Sequence, residues 1–132
     1  MTVVSDGRAG VEFTGWHVLA EFTGVAAAVC DDPAMLQGAL REALLAAQVT
    51  LCEMVAKQFE PQGVTVLALL AESHASLHTY PETGDIFVDV FTCGRAADSA
   101  GAVVAGLRSA LAPEQVRIST IRRGRGAGPQ TG

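Results

Sequence analysis

Asp85-Ile86-Phe87-Val88-Asp89-Val90-Phe91-Thr92-Cys93 is the stretch on which the fold turns. Ile86, Val88, Val90 and Thr92 alternate with Asp85, Phe87, Asp89, Phe91 and Cys93. Successive side chains of a strand point to opposite faces, so this period of two predicts a strand with one apolar face and one mixed face. The apolar face must be covered by the rest of the chain, and the mixed face, which carries Cys93, must meet something else.

Working outward, Gly15 to Thr23 has the same period, with Trp16, Val18, Ala20 and Phe22 on one face. Val49 to Phe59 reads as a strand with Leu51, Val55 and Phe59 on one face, and Val64 to Ala71 as a central strand. Val116 to Ile121 is the last strand, and Glu60–Gly63 and Pro81–Gly84 are turns. Val25 to Cys30 is a small-residue run with no clear period. Asp31 or Asp32 can cap a helix with Pro33 in its first turn, and Met35, Leu36, Leu40, Leu44 and Leu45 carry it to about Ala47. A second helix is expected from Asp98 to Leu111, with Val103, Val104, Leu107 and Leu111 as its buried stripe. Pro113 stops it and pushes Ala112 out of helical geometry. The order predicts an α+β fold: a two-layer α/β sandwich, an antiparallel sheet with two helices on one face. A second copy of the chain is the economical cover for the other face.

The 132 residues make one domain, and 49% are hydrophobic against 17% charged. Apolar surface in that proportion suits an oligomer. A net charge of −5 argues against a nucleic-acid partner. No apolar run approaches the roughly 20 residues that span a bilayer, and Met1 to Gly10 lacks a signal-peptide core, which together point to a cytoplasmic protein without a membrane partner. Residues 1–14 and 124–132 are expected to be flexible. Arg117, Arg122, Arg123 and Arg125 read as a solvated strand end. Three widely spaced cysteines do not make a disulfide framework, and Cys30 and Cys52 are expected as small core residues.

Chemistry concentrates in Ala71-Glu72-Ser73-His74-Ala75-Ser76-Leu77-His78-Thr79-Tyr80-Pro81-Glu82. A serine after a strand is ordinarily a turn hydroxyl. Its oxygen can also attack the preceding carbonyl, here that of Glu72, turning the amide into an ester. That step needs a strained peptide, a base and groups that hold an oxyanion. Removal of the Ser73 α-proton then expels the ester, and hydrolysis leaves a pyruvoyl group. His74 and His78 suggest a metal pair, but on a strand they sit about 13 Å apart, too far to share an ion, so no metal is expected. Cys93, ordinarily inert, could return a proton to a carbanion.

Phe59-Glu60-Pro61-Gln62-Gly63-Val64, the Ala71–Glu82 stretch and Asp89-Val90-Phe91-Thr92-Cys93-Gly94 together resemble the bacterial S-adenosylmethionine decarboxylase proenzyme family, of the short single-domain type. Gly15 to Phe22 resembles that family's first strand. The resemblance implies cleavage between Glu72 and Ser73 into a β chain, 1–72, and an α chain, 73–132. It implies Ser73 as precursor of the pyruvoyl group that forms a Schiff base with substrate, His78 as the processing base and Cys93 as proton donor. Thr65 stands where a serine often assists processing. Phe59 and Tyr80 match aromatics that hold the adenine, and Glu82 matches a substrate-contacting carboxylate. The cofactor would be the pyruvoyl group alone, without metal or pyridoxal phosphate, and the partner a second copy: a homodimer of αβ units with shared active sites. The implied activity converts S-adenosylmethionine to its decarboxylated form, the aminopropyl donor for spermidine. The chain departs from the family at Thr83-Gly84-Asp85, where Tyr-Gly-Tyr is usual, and at Tyr80, where tryptophan is usual. Asp85 is either a solvated turn residue or an added carboxylate for a cationic substrate, which keeps arginine or ornithine as alternative substrates.

Overall fold

A computed structural model describes residues 14–93 and 99–125. The elements are β1 (Gly15–Thr23), α1 (Ala27–Cys30), α2 (Pro33–Ala46), β2 (Leu51–Gln58), β3 (Val64–Leu70), β4 (Ser73–Tyr80), β5 (Asp85–Cys93), α3 (Ser99–Leu111) and β6 (Gln115–Arg123). Six strands form one sheet in the order β2-β3-β4-β5-β1-β6, and every neighbouring pair is antiparallel. The two long helices pack on one face, as the strand alternation requires. The small-residue run adds a third, one-turn helix, α1. No helix among the described residues is long and apolar enough to cross a membrane.

The core follows the period of two. Val18, Ala20 and Phe22 of β1 and Ile86, Val88 and Val90 of β5 are buried beneath the helices. The Asp32 carboxylate accepts a hydrogen bond from the Met35 amide at 3.1 Å and so caps α2, with Pro33 next to it in the first turn. Leu36, Leu40 and Leu44 form the i, i+4 row that faces the sheet, with Ala39 and Ala43 beside it. Met35 and Leu45 lie about 100° round the helix from that row and are exposed, which corrects their expected place in the stripe. In α3 the expected residues, Val103, Val104, Leu107 and Leu111, are all buried. Ala112 follows at φ 51°, out of helical geometry before Pro113 as expected. The expected helix start at Asp98, the first thirteen residues and residues 126–132 lie outside the described residues.

β2 departs from its expected pattern. A bulge between Leu51 and Glu53 inserts Cys52 as an unpaired residue and reverses the parity at the start of the strand. Leu51 therefore packs on the helix side with Met54 and Ala56, while Val55 stays on the other face. Cys52 is exposed, not a core residue. Cys30 is buried as expected, and burial raises its thiol pKa and keeps it inert.

The β4–β5 turn is pinned from outside the hairpin. Gly84 has φ 75°, and a Cβ there would stand 2.9 Å from the Val25 carbonyl. The Val25 amide donates to the Gly84 carbonyl at 3.0 Å. Within β4, the buried Thr79 hydroxyl donates to the Cys30 carbonyl at 2.5 Å and accepts from the Val64 amide at 2.9 Å. These bonds fix the end of β4 against β3 and the end of α1.

Phe22 is fully buried at the centre of the helix–sheet layer. Phe22→Ala is expected to cost about 3–5 kcal/mol, from lost burial and the cavity left behind. Denaturant unfolding of the variant measures it.

Candidate active site

Residues on the uncovered face of the sheet form a grid. One row crosses it as Glu53, Leu69, His74, Phe91, His17 and Ile121. The next is Val55, Leu67, Ser76, Asp89, Leu19 and Ser119. The third is Lys57, Thr65, His78, Phe87, Glu21 and Arg117. Leu19, Val55, Leu67, Leu69 and Phe87 are all exposed here. The face is mixed, as expected: exposed apolar side chains are interspersed with polar and charged ones.

Ser73 and Cys93 lie at one end of this grid. Ala71 and Glu72 are the two residues between β3 and β4, and Glu72 is forced to φ 62° to close so tight a hairpin. A non-glycine residue there carries strain of about 1–3 kcal/mol. The Glu72 carbonyl accepts a hydrogen bond from the Cys93 thiol at 3.0 Å. The Ser73 hydroxyl oxygen accepts from the Cys93 amide at 3.1 Å. The bond expected to break therefore has a strained residue on its acyl side, a thiol on its carbonyl and a hydroxyl beside it.

His78 is not at that end. Thr65 Oγ1 and His78 Nδ1 are 2.5 Å apart in the third row. The His78 ring lies 4.6 Å from Tyr80 and 6.2 Å from Phe59 between centroids. Tyr80 in turn meets Phe87 at 5.1 Å. Asp85 pairs across from Tyr80 and accepts a hydrogen bond from the Thr83 hydroxyl at 2.9 Å, while Glu82 stands exposed on the adjoining turn. The expected site residues thus fall into two groups: Ser73 with Cys93, and Thr65 with His78, Phe59, Tyr80, Glu82 and Asp85. Five positions along a strand separate Ser73 from His78, a distance of about 17 Å.

A polar network lies beside Ser73 that sequence reading did not assemble. Asp89 accepts from the Ser76 hydroxyl, from His17 Nε2 at 2.8 Å and from His74 Nε2 at 3.3 Å. The Arg123 guanidinium donates to His17 Nδ1 at 3.1 Å and stacks over Phe91 at 5.3 Å. Arg117 pairs with Glu21 at 2.6 Å, and Arg122 lies over Trp16 at 5.6 Å. The arginines of β6 are exposed, as expected of a solvated strand end, and also touch side chains of β1 and β5. Alternation alone puts Asp89 and Phe87 on this face, but their neighbours come from two other strands, β4 and β1.

The match to known proteins covers the same residues. A family model described as S-adenosylmethionine decarboxylase matches residues 16–124. The chain belongs to the S-adenosylmethionine decarboxylase family. A protein of Brevibacillus brevis named S-adenosylmethionine decarboxylase proenzyme is 42% identical over 85% of this chain and 84% of its own length. One of the same name from Methanococcus vannielii is 38% identical over 83% of this chain and 89% of its own. The crystal structure of adenosylmethionine decarboxylase from Aquifex aeolicus superposes with a TM-score of 0.77 at 33% identity, covering 83% of this chain and 90% of that one.

Burial pushes the Asp89 carboxyl up, but hydrogen bonds from Ser76 and His17, with electrostatic attraction to the adjacent His74 and His17 rings, outweigh it and hold it below the ordinary carboxylate range. A depressed folded-state pKa adds stability that is present above the unfolded value of about 3.9 and is lost as pH falls through the folded value. Asp89→Asn should therefore destabilise the protein at pH 6. The gap to the wild type should narrow as pH drops below about 4, as measured by denaturant unfolding at both pH values in a Ser73→Ala background.

Proposed function

We propose that the chain is the proenzyme of a pyruvoyl-dependent S-adenosylmethionine decarboxylase, which cuts itself between Glu72 and Ser73 and works as a homodimer of αβ units with shared sites. The observation that carries this reading is the hairpin at the cut: Glu72 at φ 62° with the Cys93 thiol on its carbonyl and the Ser73 hydroxyl alongside. Strain at Glu72 is relieved when the hairpin opens, and the thiol supports negative charge on the oxygen as Ser73 attacks. Residues 1–72 become the β chain and 73–132 the α chain.

The α-proton of residue 73 then needs a base, and no strand geometry brings His78 of the same copy to it. A second copy laid over the uncovered face with reversed strand direction supplies the partner's His78, braced by the partner's Thr65. It also covers the exposed Leu19, Val55, Leu67, Leu69 and Phe87, which supports a second copy as the occupant of that face. The residues fit the prosthetic group because it is made from Ser73 itself, where the strained hairpin and the thiol already stand. Once formed, the pyruvoyl group supplies an electrophilic ketone that holds the electrons released as carbon dioxide leaves. Cys93 then returns a proton to the product α-carbon, while the partner's Phe59 and Tyr80 hold the adenine and Glu82 contacts the substrate. Asp85 is engaged with Thr83 as a turn residue would be, and the family and its named relatives favour S-adenosylmethionine over arginine or ornithine.

Two outcomes test the reading. Purified wild-type protein should release carbon dioxide from S-adenosylmethionine and not from arginine or ornithine; release from an amino acid alone would overturn the substrate assignment. Ser73→Ala and His78→Ala precursors should each stay uncut when made singly. Mixed together through unfolding and refolding, they should yield cut chains bearing the His78→Ala substitution, because the partner supplies the imidazole. Self-cleavage of His78→Ala alone would overturn the shared site.

A further inference from the structure

Arg123, His17, Asp89, Ser76 and His74 meet on the uncovered face next to the cut. Two imidazoles and a carboxylate whose donor atoms lie within 4.8 Å of one another is a pattern that can hold a metal ion. Arg123 decides against it. A guanidinium has donors only, so His17 Nδ1 must accept, and the neutral ring then carries its hydrogen on Nε2. A protonated nitrogen donates to Asp89 and does not ligate a metal.

The same reasoning fixes His74. Asp89 is an ionised acceptor, so His74 Nε2, at 3.3 Å, carries the hydrogen. The lone pair is left on Nδ1, which has no partner among the described residues. The His74 side chain is 49% exposed, and it lines a cavity of about 630 Å³ together with Glu72, Ser73, Phe91 and Arg123. A carboxylate that fixes an imidazole tautomer and leaves the opposite nitrogen free is an arrangement for taking up a proton.

We infer that His74, oriented by Asp89, is the base that takes the proton from the α-ammonium group of the bound substrate. This rests on the decarboxylase reading, in which the substrate amine must react at residue 73. An amine is nucleophilic only without its extra proton. The Nδ1 lone pair forms the new N–H bond, and the electron pair of the broken bond stays on the substrate nitrogen. The proton resides on the His74 imidazolium beside the Asp89 carboxylate and returns to the amine when product leaves. Asp89 is a positioning residue, and Arg123 and His17 hold its orientation from β6 and β1. Sequence reading assigned His78 to processing; His74 is a different imidazole with a different task.

The test has two arms. The first uses the uncut Ser73→Ala protein and reads ring nitrogens by 15N NMR at pH 7. His74 should be neutral with its hydrogen on Nε2, and Asp89→Asn should remove that preference. A hydrogen on Nδ1, or metal retained in stoichiometric amount after purification, would overturn the proposal. The second arm uses His74→Gln, which should cut itself as the wild type does and lose kcat by about 100-fold, with the acid limb of its pH profile gone. The groups that bear on that limb are Asp89 and Cys93 of β5, His17 of β1, Arg123 of β6 and Glu72. Unchanged kcat overturns the proposal, and so does a His74→Gln precursor that stays uncut, since the imidazole would then serve processing. Wild-type protein that neither cuts itself nor decarboxylates defeats the decarboxylase reading instead, and the NMR arm reads independently of it.

Discussion

A β-strand advances about 3.3 Å per residue and cannot fold back on itself, and the rest of the molecule answers to that constraint. Ser73 and His78 lie on the same strand, so the serine and the base expected to process it are held about 17 Å apart within one copy. Reversal of strand direction between two facing sheets brings the opposite ends together twice. With such a pairing, the uncovered face and the two separated groups of expected site residues would have one physical explanation. Dimerisation, on this account, completes the chemistry as well as burying surface.

The hairpin between β3 and β4 supplies what a single copy can supply. A two-residue connection leaves Glu72 at φ 62°, a conformation glycine would adopt without strain. Cys93 reaches it because β5 ends beside the start of β4, placing its amide on the Ser73 oxygen and its thiol on the Glu72 carbonyl. One residue thus touches both sides of the bond before cleavage. The proton-returning role assigned to Cys93 would follow from the same position. On this account, cutting the chain would turn the hairpin into two termini.

Most of the fold was legible because burial imposes simple periods. The alternation of Asp85–Cys93 gave β5 its faces correctly, and Leu36, Leu40 and Leu44 marked the buried row of α2. Errors came where local pattern yields to pairing. Cys52 looked like a core residue until the bulge at the start of β2 displaced it, and Met35 and Leu45 are apolar but sit off the packed row. The polar network was invisible for a stronger reason: His17 and Asp89 are 72 residues apart, His17 and Arg123 106. Only the register of four strands joins them, and no single-segment pattern encodes that register. The strain at Glu72 was expected from the chemistry, but its source in a two-residue hairpin emerged only once β3 and β4 were seen to pair.

The dependence of cleavage on a second copy can be measured through its kinetics. Unfolded precursor diluted to refold across a wide range of concentrations should cut itself at a rate that rises with concentration until dimers saturate, and at the lowest concentrations folded but uncut chains should accumulate. A cleavage rate independent of concentration, with folded monomers cutting as fast as dimers, would contradict the account.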